Sequence, residues 1–258
     1  MNVSIILLTR FFNNSTDFHE WCNHHFLLGI NHIHIFDDCT KFNLEKECEQ
    51  YGSKISYEKV SEPQQYQLYN KYIKECYSDY IMPIDDDEYL WISPDLGTIQ
   101  SAIEYYTNKF GTIDVIGIRW LYKFPKEFHT ERTCQVLEYC TEENDYLATR
   151  FSGYGNKIIK CLLRKETFIR YNDADENIES NHIPLSTNIN GAILCDGNIT
   201  TKQFVSDKMN DEKLRLIHCP YKGYSEYKAK QENHLTVSHK RQKQRHYDSF
   251  NRILDKLK

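Results

Sequence analysis

The sequence predicts an α/β fold on a mostly parallel central sheet, and three observations predict it. Short apolar, β-rich runs alternate with helix-patterned segments from the N-terminus to Asp87, the order that builds strand–helix–strand crossovers. Acidic residues follow two of these runs directly, so they gather on one sheet edge. The length of 258 residues, 40% hydrophobic and 14% aromatic, is enough for one large α/β domain or two small ones with a packed core.

The elements justify themselves in order. "NVSIILLTR" is a short apolar run suited to a central parallel strand. In "STDFHEWCNHHFLLGI", Ser15, Thr16 or Asp17 can cap a helix, Trp21, His25 and Leu28 share a face, and Gly29 can end it. "NHIHIFDD" is a second strand closing on acids. "NLEKECEQYG" is a helix stopped by Gly52, and "KISYEKV" a third strand. "QQYQLYNKYIKECYS" is helical, with Tyr66, Tyr69, Ile73 and Cys76 at three- and four-residue spacing, and "DYIMPID" is a fourth strand. Beyond it the pattern loosens. "TIDVIGIRWLYKF" predicts a strand, "GYGNKIIKCLLRKETF" a glycine turn into a strand, and "LRLIHCPYKGYSEYKAK" a strand passing into a helix. Residues 171–200, rich in Asn, Asp, Ser and Gly, predict loops with short strands. Residues 226–258 form a basic helical extension with Tyr247, Phe250, Ile253, Leu254 and Leu257 as an apolar stripe. The expected organisation is one domain over residues 1–225 with that extension packed on it.

Composition narrows the function. A formal charge of −5 excludes a general polyanion binder, although from Lys222 onward ten Lys or Arg face four acids. Nine cysteines without a C-x-x-C spacing point to reduced, buried thiols. "VSIILLT" is too short for a membrane span or a signal-peptide core, and no later run approaches the ~18 apolar residues a span needs. A cytoplasmic location is expected.

"IMPIDDDEYLWIS" places Asp85, Asp86, Asp87 and Glu88 behind a buried run. Four adjacent like charges repel, so something positive is expected beside them. In open α/β sheets ligands bind beyond the carboxyl ends of the strands, where Thr9, Arg10, Asp37, Asp38 and Asp85 to Glu88 all fall. An Asp-x-Asp there is a hard oxygen pair suited to Mg²⁺ or Mn²⁺, and such an ion can neutralise a departing diphosphate. The same acids would also serve a nuclease, a phosphatase or a solvated turn.

Several pieces, in order, resemble the GT-A glycosyltransferases, and within them the family-2-like group that includes the DUF23, or family 92, enzymes. "TRFFNNSTDFHEWCNHHFLLGINHIHIFDD" resembles that group's opening, "IDDDEYL" its Asp-x-Asp-Glu-aromatic element, "GYGNKIIKCLLRKETF" its glycine–lysine strand, "NHIPL" its following histidine, and "LIHCPYKGYSEYKAK" its closing helix start. Two departures stand out: "DDCTKFN" lacks the later Asp, and "KIIKCLLR" lacks the Arg-Pro close. The resemblance implies a GT-A, Rossmann-like, mostly parallel sheet with helices on both faces. It implies transfer of a hexose or related sugar from a UDP- or GDP-sugar to a glycan or glycoconjugate hydroxyl, with inversion, and Mn²⁺ (or Mg²⁺) as cofactor. Asp87, Asp85 and His218 would hold the metal. Arg10, Asp38 (or Asp37), Asp85, Asp86, Lys157 and Lys222 would bind the nucleotide sugar, and Glu88 would hold its neighbours. Inversion also needs a general base, for which Asp173, Asp175 and Glu179 are the candidates, with Glu176 and Asp196 beside them. His182 would contact acceptor or donor.

Other features have plainer readings. His24, His25, His32 and His34 fit no zinc spacing and are expected in the core or on the surface. Trp21 and His25 are expected to pack a helix on the sheet, whereas Trp120 and Tyr122 suit either a core or an acceptor-sugar platform. The basic tail suits a solvated helix, a guide for anionic donors, or at most peripheral membrane contact; nucleic acid is not an expected partner. The competing functions are a metal-dependent phosphodiesterase or nuclease and a non-catalytic nucleotide-sugar-binding module.

Overall fold

In the computed structural model the described residues are 1–9, 12, 14–38, 40, 42–61, 65–129, 131–152, 155–170, 185–186, 192–194, 199–200, 213–234, 251–252 and 255. The fold is mixed α/β around a mostly parallel central sheet. In chain order the elements are β1 (Val3–Thr9), α1 (Ser15–Leu27), β2 (His32–Asp37), α2 (Leu44–Glu49), β3 (Ile55–Lys59), α3 (Gln65–Glu75), β4 (Tyr80–Ile84), β5 (Glu88–Ile92), α4 (Ile99–Phe110) and β6 (Val115–Pro125). There follow α5 (Val136–Tyr139), β7 (Cys140–Glu143), α6 (Asp145–Ser152), β8 (Ile159–Arg164), β9 (Phe168–Arg170), β10 (Leu185–Ser186), β11 (Ala192–Leu194), β12 (Ile199–Thr200), β13 (Leu214–His218) and α7 (Tyr224–His234). Contacts divide the chain into two units, Met1–Trp120 with Lys157–Leu216, and Leu121–Asn156 with Ile217–Lys258.

The first unit carries the sheet order β12-β11-β6-β8-β4-β1-β2-β3. β1 pairs in parallel with β2 and with β4, and β2 in parallel with β3. β8 runs antiparallel between β4 and β6. β1 is apolar because it lies between two neighbours, and nearly all of it is buried. Tyr69 and Ile73 of α3 pack with Ile6, Phe36, Ile81, Ile159 and Cys161; each large apolar side chain so buried stabilises by roughly 1.5–3 kcal/mol.

Local chemistry sets the ends. Asn14 caps α1 by accepting from the Asp17 N–H at 2.8 Å. α1 ends as expected at Gly29, whose φ is +91°. A Cβ on Gly29 would clash with the Gln100 Oε1, while the Gln100 amide donates to the Gly29 carbonyl at 2.7 Å. The strand after the acids, β5, and the helix α4 were not expected, although Thr98 caps α4, Ile99, Ala102, Ile103 and Tyr106 form its buried face, and Gly111 follows it.

In the second unit β6 pairs antiparallel with β7 through Lys123 opposite Glu143. Its core includes Tyr122, Phe124, Phe128, Tyr221 and Tyr227, and Arg132 pairs with Glu226 at 2.7 Å. α7 begins where the strand-to-helix motif predicts and carries the start of the expected extension. Tyr247, Phe250, Ile253, Leu254 and Leu257 lie outside the described residues. Among the described residues no helix is long and apolar enough to cross a membrane. The described cysteines form no disulfide, and all but Cys134 are buried; burial pushes the Cys22 thiol well up and Cys48 up to about 12.

Candidate active site

The parallel register brings the carboxyl ends of β1, β2 and β4 together. Thr9 lies opposite Asp37, and Leu7 opposite Ile84. Thr9 joins both acidic segments, since its hydroxyl donates to Asp86 Oδ2 at 2.6 Å and its carbonyl accepts from the Asp38 N–H at 2.8 Å. Asp37 serves the loop itself. It accepts from the Thr40 N–H at 2.8 Å and from the Tyr57 hydroxyl at 2.8 Å, and Asp38 is buried beside it.

The acidic segment is a closed turn. The Glu88 N–H donates to the Asp85 carbonyl at 3.1 Å, and Glu88 Oε2 accepts from the Asp85 N–H at 2.8 Å. Glu88 is fully buried, and Asp86 and Asp87 are 4% and 2% exposed, so only Asp85 of the four reaches solvent appreciably. The positive partner is Lys160 of β8. Its Nζ lies 3.0 Å from Asp85 Oδ2 and 3.8 Å from Glu88 Oε1, and 5.9 Å from the centre of the Trp120 ring. The antiparallel register that sets Tyr80 against Arg164 and Ile81 against Leu163 runs β8 back towards the end of β4, delivering Lys160 to the turn. Burial alone would lower the Lys160 ammonium, but the Asp85 and Glu88 carboxylates outweigh it and carry its pKa above the ordinary lysine value. Burial pushes Glu88 well above the ordinary carboxylate range; Lys160 pulls against that rise, and Asp85 and Asp87 add to it.

α1 holds the other side of this turn. β5 has a strand partner in β13, and side chains from α1 bond its backbone. Trp21 Nε1–H donates to the Glu88 carbonyl at 2.8 Å, and His24 Nε2–H to the Leu90 carbonyl at 2.7 Å. The Leu90 N–H donates to His25 Nε2 at 3.2 Å, which leaves His25 Nδ1–H to donate to the Trp21 carbonyl at 2.8 Å. Burial holds His24 and His25 neutral by lowering their pKa. His32 and His34 are likewise lowered by burial. His34 bonds Ser56 and stacks on Tyr72 with ring centres 4.2 Å apart. His25 and His34 are buried and His24 and His32 half-buried.

The remaining described residues of the expected site divide between the two units. Lys157 is exposed at the turn before β8. His218 and Lys222 are buried in the second unit, where His218 packs against Tyr122 with ring centres 4.6 Å apart. Trp120 and Tyr122 are 8% and 1% exposed, so both serve the core rather than an open platform. Arg10, Asp173, Asp175, Glu176, Glu179, His182 and Asp196 lie outside the described residues. The sequence motifs name Lys157 and not Lys160, the lysine that meets the acidic turn. Its sign was a lysine inside the apolar run of a central strand, a position tolerated only with a buried partner.

Carboxylates suit a hard cation, yet among the described residues no three His, Cys, Asp or Glu side chains group to hold a metal ion. Asp85 Oδ2 is bound to Lys160 and Asp86 Oδ2 to Thr9. The described residues do not form the metal site that the resemblance implies.

No protein-family model and no curated protein matches the sequence. Solved structures do. The chain is similar to a crystal structure of S. aureus TarS 1-349, at 12% identity and a TM-score of 0.41, covering 97% of this chain and 70% of that one. It is similar to the mannosyltransferase PcManGT from Pyrobaculum calidifontis in complex with GDP-Man and Mn²⁺, at 10% identity and a TM-score of 0.37, covering 64% and 45%. It is also similar to glucosyl-3-phosphoglycerate synthase from Mycobacterium tuberculosis in complex with Mn²⁺, UDP and glucosyl-3-phosphoglycerate, at 12% identity and a TM-score of 0.34, covering 64% and 57%. Against the TarS 1-349 structure in complex with UDP-GlcNAc the match spans 46% of that chain.

Proposed function

We propose that the chain binds a nucleoside-diphosphate sugar at the carboxyl edge of β1, β2 and β4 and transfers its sugar to a hydroxyl of a glycan or glycoconjugate, with inversion. The observation that carries this reading is the closed acidic turn Asp85–Glu88, set beside Asp38 at the parallel strand ends where α/β sheets take nucleotides. The ordered sequence motifs add the reaction class. In this reading Asp38 and Asp85 accept hydrogen bonds from the nucleoside, while Asp86 is held by Thr9 and shapes the turn. Lys157 and Lys222 meet phosphate charge, and Arg10 contacts the nucleotide. One of Asp173, Asp175 and Glu179 takes the acceptor proton, so that the hydroxyl oxygen attacks the anomeric carbon as the diphosphate leaves. The resemblance would have Asp87 and His218 hold a cation, whereas the described residues do not group to hold one.

A thermal-shift panel tests the reading, with UDP, GDP, CDP and their sugars, each with Mn²⁺ and with chelator, on wild type and Asp87→Ala. A ligand of the folded state at 100 times its Kd adds about 2.7 kcal/mol of stability. One nucleotide should raise the wild-type midpoint, and Asp87→Ala should abolish the rise. No shift with any nucleotide overturns the assignment, and cleavage of phosphodiesters in its place would favour the nuclease reading. The chelator arm reads metal dependence directly.

A further inference from the structure

We propose that Lys160 is a positioning residue of the donor site, holding the Asp85 carboxylate in the one orientation in which it accepts a hydrogen bond from a ribose hydroxyl. The inference rests on the nucleotide-sugar reading and deepens it. Asp85 is the one acid of the turn that reaches solvent, with its side chain 38% exposed, whereas Lys160 is 8% and Glu88 0% exposed. An exposed aspartate turns among rotamers, and ordering it on binding costs affinity. Here the ordering is already done. Lys160 takes Oδ2 at 3.0 Å, leaving one oxygen of the pair for a ligand. Lys160 is itself fixed from several directions: β8 lies between β4 and β6, Glu88 stands 3.8 Å from Nζ, and the Trp120 ring lies beside the ammonium. Glu88 in turn is held by the Asp85 N–H and, through its carbonyl, by Trp21. An unbroken set of contacts therefore runs from α1 through Glu88 and Lys160 to the exposed carboxylate. Its bond to Lys160 also makes Asp85 a poor two-oxygen ligand for a cation, which suits a hydroxyl contact.

A purely structural Lys160 would only neutralise Glu88, and ligand selectivity separates the two roles. Isothermal titration would compare the nucleoside diphosphate selected by the panel with its 2′-deoxy and 3′-deoxy forms. The proteins are wild type, Lys160→Arg and the double variant Lys160→Met/Glu88→Gln. The double variant removes the buried charges together, and its introduced glutamine amide retains an acceptor for the Asp85 N–H. A hydrogen bond to a charged group predicts that wild type prefers the ribo form over at least one deoxy form by about 10-fold or more. In the double variant that preference should fall towards unity, and Lys160→Arg should restore it. A preference unchanged in the double variant overturns the proposal, as does a wild type indifferent to both hydroxyls. Failure of wild type to bind any nucleoside diphosphate overturns the nucleotide reading itself, a different result from an unchanged preference. If the double variant does not fold by circular dichroism, Lys160→Gln/Glu88→Gln replaces it with the same expected loss.

Discussion

His34 shows how a single side chain here is governed by its surroundings. Burial, followed by the positive neighbours His32 and Lys71, lowers its pKa to about 4 from an ordinary 6.5. The folded chain therefore binds fewer protons than the unfolded chain between those values. Stability from this group is complete above the ordinary imidazole pKa and is lost as pH falls towards about 4. Burial lowers His24, His25 and His32 too, so they act with the same sign. Urea midpoints measured between pH 7 and pH 4.5 should fall, and His34→Phe should flatten part of that fall. Thr9 is as local, with one hydroxyl and one carbonyl joining two acidic segments.

Among the elements, the pairing of α1 with β5 decides how the acidic turn is held. Among the described residues β5 has one strand neighbour; its other backbone groups need partners, and Trp21, His24 and His25 supply them at Glu88 and Leu90. Trp21→Phe keeps an aromatic ring but leaves the buried Glu88 carbonyl without the indole donor, which should cost about 1–3 kcal/mol. The check has two parts: the urea midpoint should fall, and hydrogen exchange across β5 should quicken more than across β3. This role was partly visible in the sequence. The Trp21–His25 spacing predicted a helix face turned to the sheet, as found, but that the ring nitrogens would serve another strand's backbone could not be read, because β5 itself was not anticipated.

For the whole molecule, burial and pairing rank the strands. β1 is paired on both sides and nearly all buried, whereas β9 and β10 form a separate two-stranded sheet. In native-state hydrogen exchange β1 amides should therefore exchange only through global unfolding, and β9 amides through smaller openings. Protection of β9 equal to that of β1 would contradict this ranking. The division into two units also sorts the expected site residues: Asp38, Asp85, Asp86, Asp87 and Lys157 belong to the first, His218 and Lys222 to the second.

By itself the sequence determined the strand–helix alternation up to Asp87, the gathering of acids at the carboxyl edge, and the face of α1 that Trp21 and His25 turn to the sheet. Each follows from local periodicity and from strand ends being ligand edges. It also implied a positive partner for Asp85–Glu88, read there as a divalent cation. Only the tertiary structure shows that Lys160 is one such partner, because it lies 75 residues from Asp85 in sequence on a strand whose antiparallel insertion beside β4 no local pattern announces. The same holds for Tyr57, which reaches across from β3 to Asp37, and for Trp120 and Tyr122, whose burial depends on what packs over them. Local chemistry writes the elements; long-range pairing chooses which charges meet.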